Sequence, residues 1–508
     1  MSKITHESTR REYLRGVAHN SSVNLSATLK RNNDFYAGKQ WEGLNSPIMP
    51  APVFNFVRRA VIHAVQSVSS TSVGLAVSIP DGRHEELSDA LNREFSYIFE
   101  SNELNYKFAT FLRNTAVLGA SCLMVRWDPD AKGLHKGPGA IVTEAVDNER
   151  VFFGAPTIDD IQEQPFVIVT RPERIAKVRR LAAECGTDPH VIRTDAEAES
   201  RASSREASDY VTVLQRFWRS EETRTIWCYE CCRDGTLRRP WDTGLSIYPL
   251  IWMTWDSTRE TYHGRALVTS LVPNQIFVNK LFAMSMLSLM SVAHPKIIYD
   301  RTRIARWDNR AGAAIPMLGG DVNSVARVME AAHFSPQVAQ FIDLAITYSQ
   351  SLLGATPAAL GEVRPDNSSA IIALQKAATM TSEDTRVRYF KEIERYGRIV
   401  VDMLRQYGTS GKLGPDGEEY SAIEMDDVDI RLDVGMPEFF AEYTAVKALE
   451  NMLAQGRITF AEYLERMPDK HIPGKKGLLA RAYRDQEDLN RARENGAAHP
   501  VTNLTENI

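Results

Sequence analysis

Three closely spaced cysteines are the first residues whose types and spacing could do chemistry. Cys228, Cys231 and Cys232 could supply thiolates to zinc, but a structural zinc site takes four ligands, usually from two such pairs. The sequence offers no second pair, and residues three apart on a strand point to opposite faces. We therefore expect these cysteines to be small buried residues of a sheet, with no metal bound.

A group of aspartates near the C-terminal end could hold a divalent metal, as in nucleases. Alternation within residues 427–434 places Asp427, Asp429 and Asp433 on one side of a predicted strand, with Arg431 between them. A solvated strand face with partly compensated charge is the favoured interpretation. A metal-dependent nucleic-acid-processing enzyme that uses the strand around Asp427 is the alternative.

Nucleotide chemistry has little support in the sequence. A phosphate-binding loop needs Gly-x-x-x-x-Gly-Lys-Ser/Thr, and the nearest strings, residues 408–412 and 474–477, lack that spacing. His84-Glu85-Glu86 lacks the second histidine of a zinc-protease helix, and no Gly-x-Ser-x-Gly elbow occurs. The sequence therefore predicts no catalytic residues, no cofactor and no metal.

Composition and charge narrow the possible classes of protein further. The chain has 508 residues, of which 43% are hydrophobic and 25% charged, and its formal charge is −5. This is a folded protein without the basic excess of a dedicated DNA-binding domain. The apolar stretch 266–293 is interrupted by Asn274, Gln275, Asn279 and Lys280, so it is too short for a membrane span and predicts a buried helix. Five cysteines without an apolar leader predict a reducing cytoplasm.

The first half alternates between helices and short strands. The first forty residues read as helix to a stop at Gly38, and a second helix follows from Asn55 to about Ser70. Short β runs dominate residues 141–255, with a hairpin formed by 210–218 and 225–231. The polar composition of residues 186–208 predicts an exposed, mobile insertion.

Long helices dominate the second half. We expect helices at 274–293, with Pro273 at or near the start, and from Pro336 to Gly354. The longest runs from about Ala370 to Tyr407, roughly 57 Å at 1.5 Å per residue. A strand at 427–434 and three C-terminal helices follow, one with a capping box at Thr459 and Glu462. The predicted fold class is α+β, mostly helical.

The order of these elements, together with several short strings, resembles the portal (head–tail connector) proteins of tailed bacteriophages over about residues 10–410. The strings are Asp34–Trp41, Asn55–Val61, Gly264–Val268, Pro273–Lys280, Leu360–Asp366 and Ser368–Gln375. The resemblance implies a portal fold with wing, stem, clip and crown and long channel-lining helices. Its segments would be a wing (1–265), a stem helix (266–294), a clip (295–334), a second stem helix (335–354), a tunnel loop (355–369), a long wing and channel helix (370–408), and a crown with C-terminal helices (409–508).

The function implied by the resemblance is structural. Twelve copies would form a ring at a unique capsid vertex, through which double-stranded DNA passes without sequence specificity during packaging and ejection. The implied partners are the terminase, the major capsid and scaffolding proteins, and a tail adaptor protein, with no membrane. The protein would reside in the virion, and in the host cytoplasm during assembly.

Two groups of site residues follow from the resemblance. The tunnel loop would present Glu362, Arg364, Asp366 and Asn367 to DNA, where mixed polarity gives transient phosphate contacts; a plain surface loop is the alternative. The clip would offer basic and aromatic groups as interface anchors; a solvated basic turn is the alternative. These clip residues are Arg301, Arg303, Arg306, Trp307 and Arg310.

Overall fold

The computed structural model describes most of the first 350 residues and less of the remainder. The described residues are 4–42, 50–69, 73–78, 85–132, 138–195, 209–293, 297–308, 310, 313–328, 336–351, 382–408, 429–434, 449–467, 478–479 and 481. The chain divides into two units, Met1–Ser69 with Leu75–Leu432, and Ser70–Gly74 with Asp433–Ile508.

The N-terminal region forms two helices where the sequence predicted one. Helices α1 (His6–Ser22) and α2 (Leu25–Ala37) are separated by Asn24, which has a left-handed backbone with φ 51°. Asparagine tolerates this conformation better than most residues, so the chain turns there without glycine. The predicted stop is confirmed, because Gly38 has φ 89° and its N–H donates to carbonyls of the last turn of α2.

Three more helices and a short strand complete the first part of the chain. Helix α3 (Phe56–Val68) begins after Asn55, whose side chain accepts from the Arg58 N–H at 3.1 Å. Strand β1 (Val73–Ser78), helix α4 (Glu85–Ser101) and helix α5 (Leu104–Leu118) follow.

Two antiparallel sheets form the β-rich region. Their strands are β2 (Ala120–Lys132), β3 (Pro138–Val146), β4 (Val151–Phe153), β5 (Phe166–Arg174), β6 (Tyr210–Arg219), β7 (Ile226–Cys232), β8 (Gly235–Asp242) and β9 (Leu250–Thr254). One sheet has the order β3-β2-β9 and the other β4-β5-β6-β7-β8. The predicted hairpin is confirmed, with Phe217 opposite Cys228 and Trp218 opposite Trp227.

Two elements of this region were not predicted. Strand β8 contains Arg238-Arg239-Pro240, which breaks the alternation of a half-buried strand, and its position at the sheet edge tolerates the proline. Helix α6 (Ile175–Cys185) packs an apolar face on the five-stranded sheet. In the predicted insertion that follows, Ile192 is fully buried and Asp195 accepts from the Thr212 N–H at 2.8 Å; residues 196–208 lie outside the described residues.

The second half contains long helices and one small hairpin. Helix α7 (Leu267–Ala293) is followed by β10 (Ile297–Tyr299), a short helix α8 (Val322–Val325), β11 (Ala326–Val328), and helices α9 (Pro336–Ser351) and α10 (Glu383–Tyr407). The predicted start of α7 was wrong, because Pro273 lies inside the helix. A proline costs one intrahelical hydrogen bond, and burial of Val268, Leu271 and Val272 against α2, α3 and α5 keeps the preceding turn helical.

The remaining described elements are short. Strand β12 (Asp429–Val434) pairs with β1 in a two-stranded sheet. Helix α11 (Phe460–Arg466) begins with the predicted capping box, since Thr459 and Glu462 exchange hydrogen bonds between side chain and backbone. Of the predicted long helix 370–407, residues 370–381 lie outside the described residues. Most of residues 477–494, where the last of the three C-terminal helices is predicted, also lies outside them.

Candidate functional site

The segment between α7 and α9 closes on itself at its base. Strands β10 and β11 pair antiparallel, with Ile297 opposite Val328 and Tyr299 opposite Ala326. The Asp300 N–H donates to the Val325 carbonyl at 2.8 Å, just beyond the ladder. Ile304 and Val325 are buried and give the segment a small core. This hairpin-closed segment, described over 297–308, 310 and 313–328, carries all five residues predicted for the clip.

Local hydrogen bonds hold the first turn of this segment. Asp300 Oδ1 accepts from the N–H and the hydroxyl of Thr302, at 2.8 and 2.6 Å, and these bonds lower the pKa of Asp300. The Leu318 N–H donates to the Arg303 carbonyl at 3.0 Å, which brings the two sides of the segment together. Gly320 has φ 101°, and a Cβ there would lie 2.5 Å from Arg303 Nη1. Glycine therefore permits the close approach of the backbone to this arginine.

An open groove of about 790 Å³ runs along the segment. Arg303, Arg306, Trp307 and Arg310 line it, so the structure brings four of the five predicted residues together. The fifth, Arg301, is exposed but lies outside the groove lining. Trp307 packs on Tyr299 with ring centroids 5.5 Å apart.

The arginines of the segment differ in their pairing. Arg310 Nη2 donates to Asp308 Oδ2 at 2.5 Å, and this contact lowers the pKa of Asp308. Arg303 Nε lies 3.7 Å from Asp300 Oδ2. Within the described part of the chain, Arg301 and Arg306 form no ion pair and are exposed. The segment therefore offers uncompensated positive charge beside an indole ring.

Buried amide side chains fix the N-terminal half of α7 in place. Gln275 and Asn279 are almost completely buried. The Gln275 amide accepts from the Val57 N–H at 3.3 Å and donates to the Phe54 carbonyl at 2.8 Å and to Asn279 Oδ1 at 2.9 Å. Asn279 in turn donates to Gln40 Oε1 at 2.7 Å. This amide ladder fixes α7 against α3 and the chain after α2.

The other half of α7 corrects the prediction of a buried helix. The burial holds only to Ala283, beyond which Leu289 is 67% exposed and Met284, Met286 and Met290 are also exposed. Helix α9 packs beside α7 and likewise exposes Phe341, Leu344 and Tyr348. After Lys280, Asp343 is the only ionisable group on these two helices apart from the Tyr348 phenol. Apolar composition had suggested a core, because sequence alone does not show whether a neighbouring element of the same chain covers it.

Features that could bind metal give no site within the described residues. Cys228, Cys231 and Cys232 are buried and unpaired, as predicted, and burial raises the pKa of each thiol. In the part of the chain that the structure describes, no group of three or more His, Cys, Asp or Glu side chains could hold a metal. Asp427 and the tunnel-loop residues Glu362, Arg364, Asp366 and Asn367 lie outside the described residues. No described helix has the length and apolarity that a bilayer span requires.

Exposed apolar side chains on two neighbouring helices are typical of a surface that contacts another protein. The family model for Phage P22-like portal protein matches residues 168–438, from β5 through β12. Because this match spans more than half of the chain, the protein belongs to the family of P22-like phage portal proteins. A comparison with curated proteins gives no match. The chain is accordingly a structural phage protein of mixed α/β fold, associated with the capsid.

Proposed function

We propose that the chain is the subunit of a dodecameric ring at a unique capsid vertex, and that DNA passes through this ring during packaging and ejection. Family membership supports an oligomeric ring at the vertex that handles DNA. The number twelve rests on the resemblance to portal proteins. In this proposal α7 and α9 are the stem helices, and residues 409–508 belong to the crown.

The uncovered apolar surface of α7 and α9 is the observation that carries the proposal. Soluble monomers rarely expose apolar patches of more than a few hundred Å². Here Leu289, Met290 and Tyr348 are each about half exposed or more, and no charged side chain interrupts residues 281–293. Packing against the stems of neighbouring subunits would remove these side chains from water, with a gain of about 25 cal/mol per Å² buried.

The charge distribution suits a passage for DNA. Duplex DNA carries one charge per about 1.7 Å, so a strongly basic lining would retain it. The protein is acidic overall, at −5, and the described stem residues after Lys280 carry no positive charge. We assign the loop 355–369 to the channel, where Glu362, Arg364, Asp366 and Asn367 would contact phosphates only transiently.

Docking is assigned to the hairpin-closed segment as the clip, within residues 295–334. Exposed Arg306 and half-buried Trp307 are typical anchors of protein interfaces. The terminase would bind this clip during packaging and the tail adaptor would bind it afterwards, while the wing meets the capsid and scaffolding proteins. The alternative of a metal-dependent enzyme has no support in the family match.

The mass of the purified protein, followed by electron microscopy of the largest species, tests the ring. We expect a particle near twelve times 57.1 kDa with a central hole. A stable monomer, both alone and in the presence of scaffolding protein, would contradict the proposal. Metal-dependent cleavage of DNA by that monomer would favour the enzyme alternative.

A further inference from the structure

The residues that line the open groove of the hairpin-closed segment indicate the kind of partner that would bind there. This inference rests on the proposed docking role of that segment. Three guanidinium groups line the groove, from Arg303, Arg306 and Arg310, against one carboxylate, from Asp308. Since Arg310 is already paired with Asp308, the charge available to a partner comes chiefly from Arg306. The groove therefore attracts carboxylates or phosphates.

Much of the remaining groove lining is apolar. Ile315, Pro316, Met317 and Leu318 line it, and Leu318 is 78% exposed. Covering an exposed leucine with an apolar side chain lowers the free energy of the complex, because apolar surface is removed from water. A ligand that satisfies both the arginines and the apolar lining residues must therefore combine negative charge with apolar side chains.

A protein segment meets this requirement better than nucleic acid. A DNA backbone presents phosphates but no apolar side chains to cover Leu318. The carboxylates of Asp300, Asp308 and Asp321 also lie on this segment and would repel a dense row of phosphates. An acidic peptide can instead place isolated carboxylates beside Arg306 and avoid these aspartates.

We propose that the groove docks an acidic segment of a partner protein, with a carboxylate on Arg306 and an apolar side chain against Leu318 and Trp307. Arginine binds carboxylates through two parallel hydrogen bonds, which fixes the orientation of the bound segment. The ion pair between Arg306 and a carboxylate of the partner would be exposed to solvent, so salt would screen its attraction. Binding should accordingly weaken as ionic strength rises.

An array of overlapping 15-residue peptides tests the proposal. The peptides cover the packaging-motor subunits and the tail adaptor encoded by the same phage genome, and assembled rings of this protein are the probe. We expect the bound peptides to be acidic with at least one large apolar residue, and to lose binding when Asp and Glu become Asn and Gln. Arg306→Glu should weaken binding more than about tenfold. Arg327→Glu, on the same segment but outside the groove, should change it less than about twofold.

The remaining outcomes separate this inference from the docking role itself. If no peptide binds, or if 20-base-pair DNA binds better than any peptide, the acidic-segment proposal is wrong. If intact motor or adaptor still requires Arg306 in that case, the clip remains a docking surface and only the partner chemistry fails. Loss of rings in Arg306→Glu would show that a second copy of this chain fills the groove, which also overturns the proposal.

Discussion

Glu12 on α1 and Arg216 on β6 form a two-point ion pair across the interface between the N-terminal helix and the five-stranded sheet. Arg216 Nε lies 2.7 Å from Glu12 Oε2, and Nη2 lies 3.3 Å from Oε1. The guanidinium also lies 4.6 Å from the Phe166 ring centroid and 5.2 Å from that of Trp218. Arg216 is about nine-tenths buried, and this carboxylate is the charged partner of its guanidinium in the described part of the chain.

Removing this carboxylate should destabilise the subunit. Glu12→Gln leaves a buried guanidinium without a charged partner, and we expect the free energy of unfolding to fall by about 2–3 kcal/mol. Denaturant unfolding followed by tryptophan fluorescence measures the loss. Glu7→Gln, at an exposed position of the same helix, is the control and should cost less than about 1 kcal/mol. Equal losses in the two variants would show that the ion pair contributes nothing specific.

Substitution within the amide ladder in the N-terminal half of α7 should also destabilise the subunit. Gln275→Leu removes the partner of the Phe54 carbonyl and of Asn279 in a buried site, at an expected cost of about 2–3 kcal/mol. Thermal unfolding of the variant checks this expectation. Asn274→Leu makes a similar change at a neighbouring, half-buried residue and should cost much less. An unchanged midpoint for Gln275→Leu would mean that other groups replace its hydrogen bonds.

Charges placed on the exposed end of α7 should prevent assembly without unfolding the chain. In Leu289→Glu with Met290→Glu, both positions face water in the single subunit, so far-ultraviolet circular dichroism should not change. Burying the new carboxylates between subunits is costly, and we expect the ring fraction in sedimentation to fall more than about tenfold. Val191→Glu, at an exposed position after α6, serves as the control. Normal rings from the double variant would exclude this surface from the subunit interface.

Glu392 on α10 should make stability depend on pH. Burial raises its pKa from 4.5 to about 7, although Arg395 donates to its Oε1 at 2.7 Å. Between these two values the folded subunit binds more protons than the unfolded chain, so the free energy of unfolding falls as pH rises and levels off above about 7. The difference in midpoint between wild type and Glu392→Gln should therefore shift in favour of the variant from pH 5 to pH 8. Glu394→Gln, at a half-buried position of the same helix, is the control; a difference for Glu392→Gln that does not change with pH would refute the assignment.

The proposed tunnel loop should matter for DNA and not for assembly. Deletion of residues 360–366 should leave rings intact and reduce the amount of DNA packaged or retained per particle, measured by nuclease protection. Replacement of the same stretch by glycine and serine separates loss of side chains from loss of length. Failure of the deletion variant to form rings would identify the loop as structural.

Local signals in the sequence predicted the ends of several elements correctly. The helix start at Asn55, the stop at Gly38 and the capping box at Thr459 and Glu462 depend on interactions within one turn, so they can be predicted without tertiary information. Pro273 misled the prediction because long-range packing keeps the helix continuous on both sides of it. Strand β8 was missed because an edge position, known only from the fold, accommodates Pro240.

For the candidate site, the sequence indicated the residue types but not their pairing or exposure. Clustering of arginine with Trp307 indicated an interface, and the structure places Arg303, Arg306 and Arg310 in one groove. Their pairing with Asp300 and Asp308 depends on turn geometry, so the sequence could not show that Arg306 alone among them remains without an acidic partner in the described residues. The exposed half of α7 was hidden for a similar reason, because the same residues would suit a core.

In the proposed ring, the two halves of α7 belong to two successive steps, folding of the subunit and its assembly. The buried amides of Gln275 and Asn279 find their partners within one chain, so this step is unimolecular and independent of concentration. In the proposed ring, Leu289 is covered by neighbouring subunits, so the rate of this step rises with the concentration of subunits. A folded subunit that has not yet assembled therefore exposes the apolar end of α7. Until it assembles, productive association competes with aggregation. Dilute synthesis close to a growing ring would favour the productive outcome.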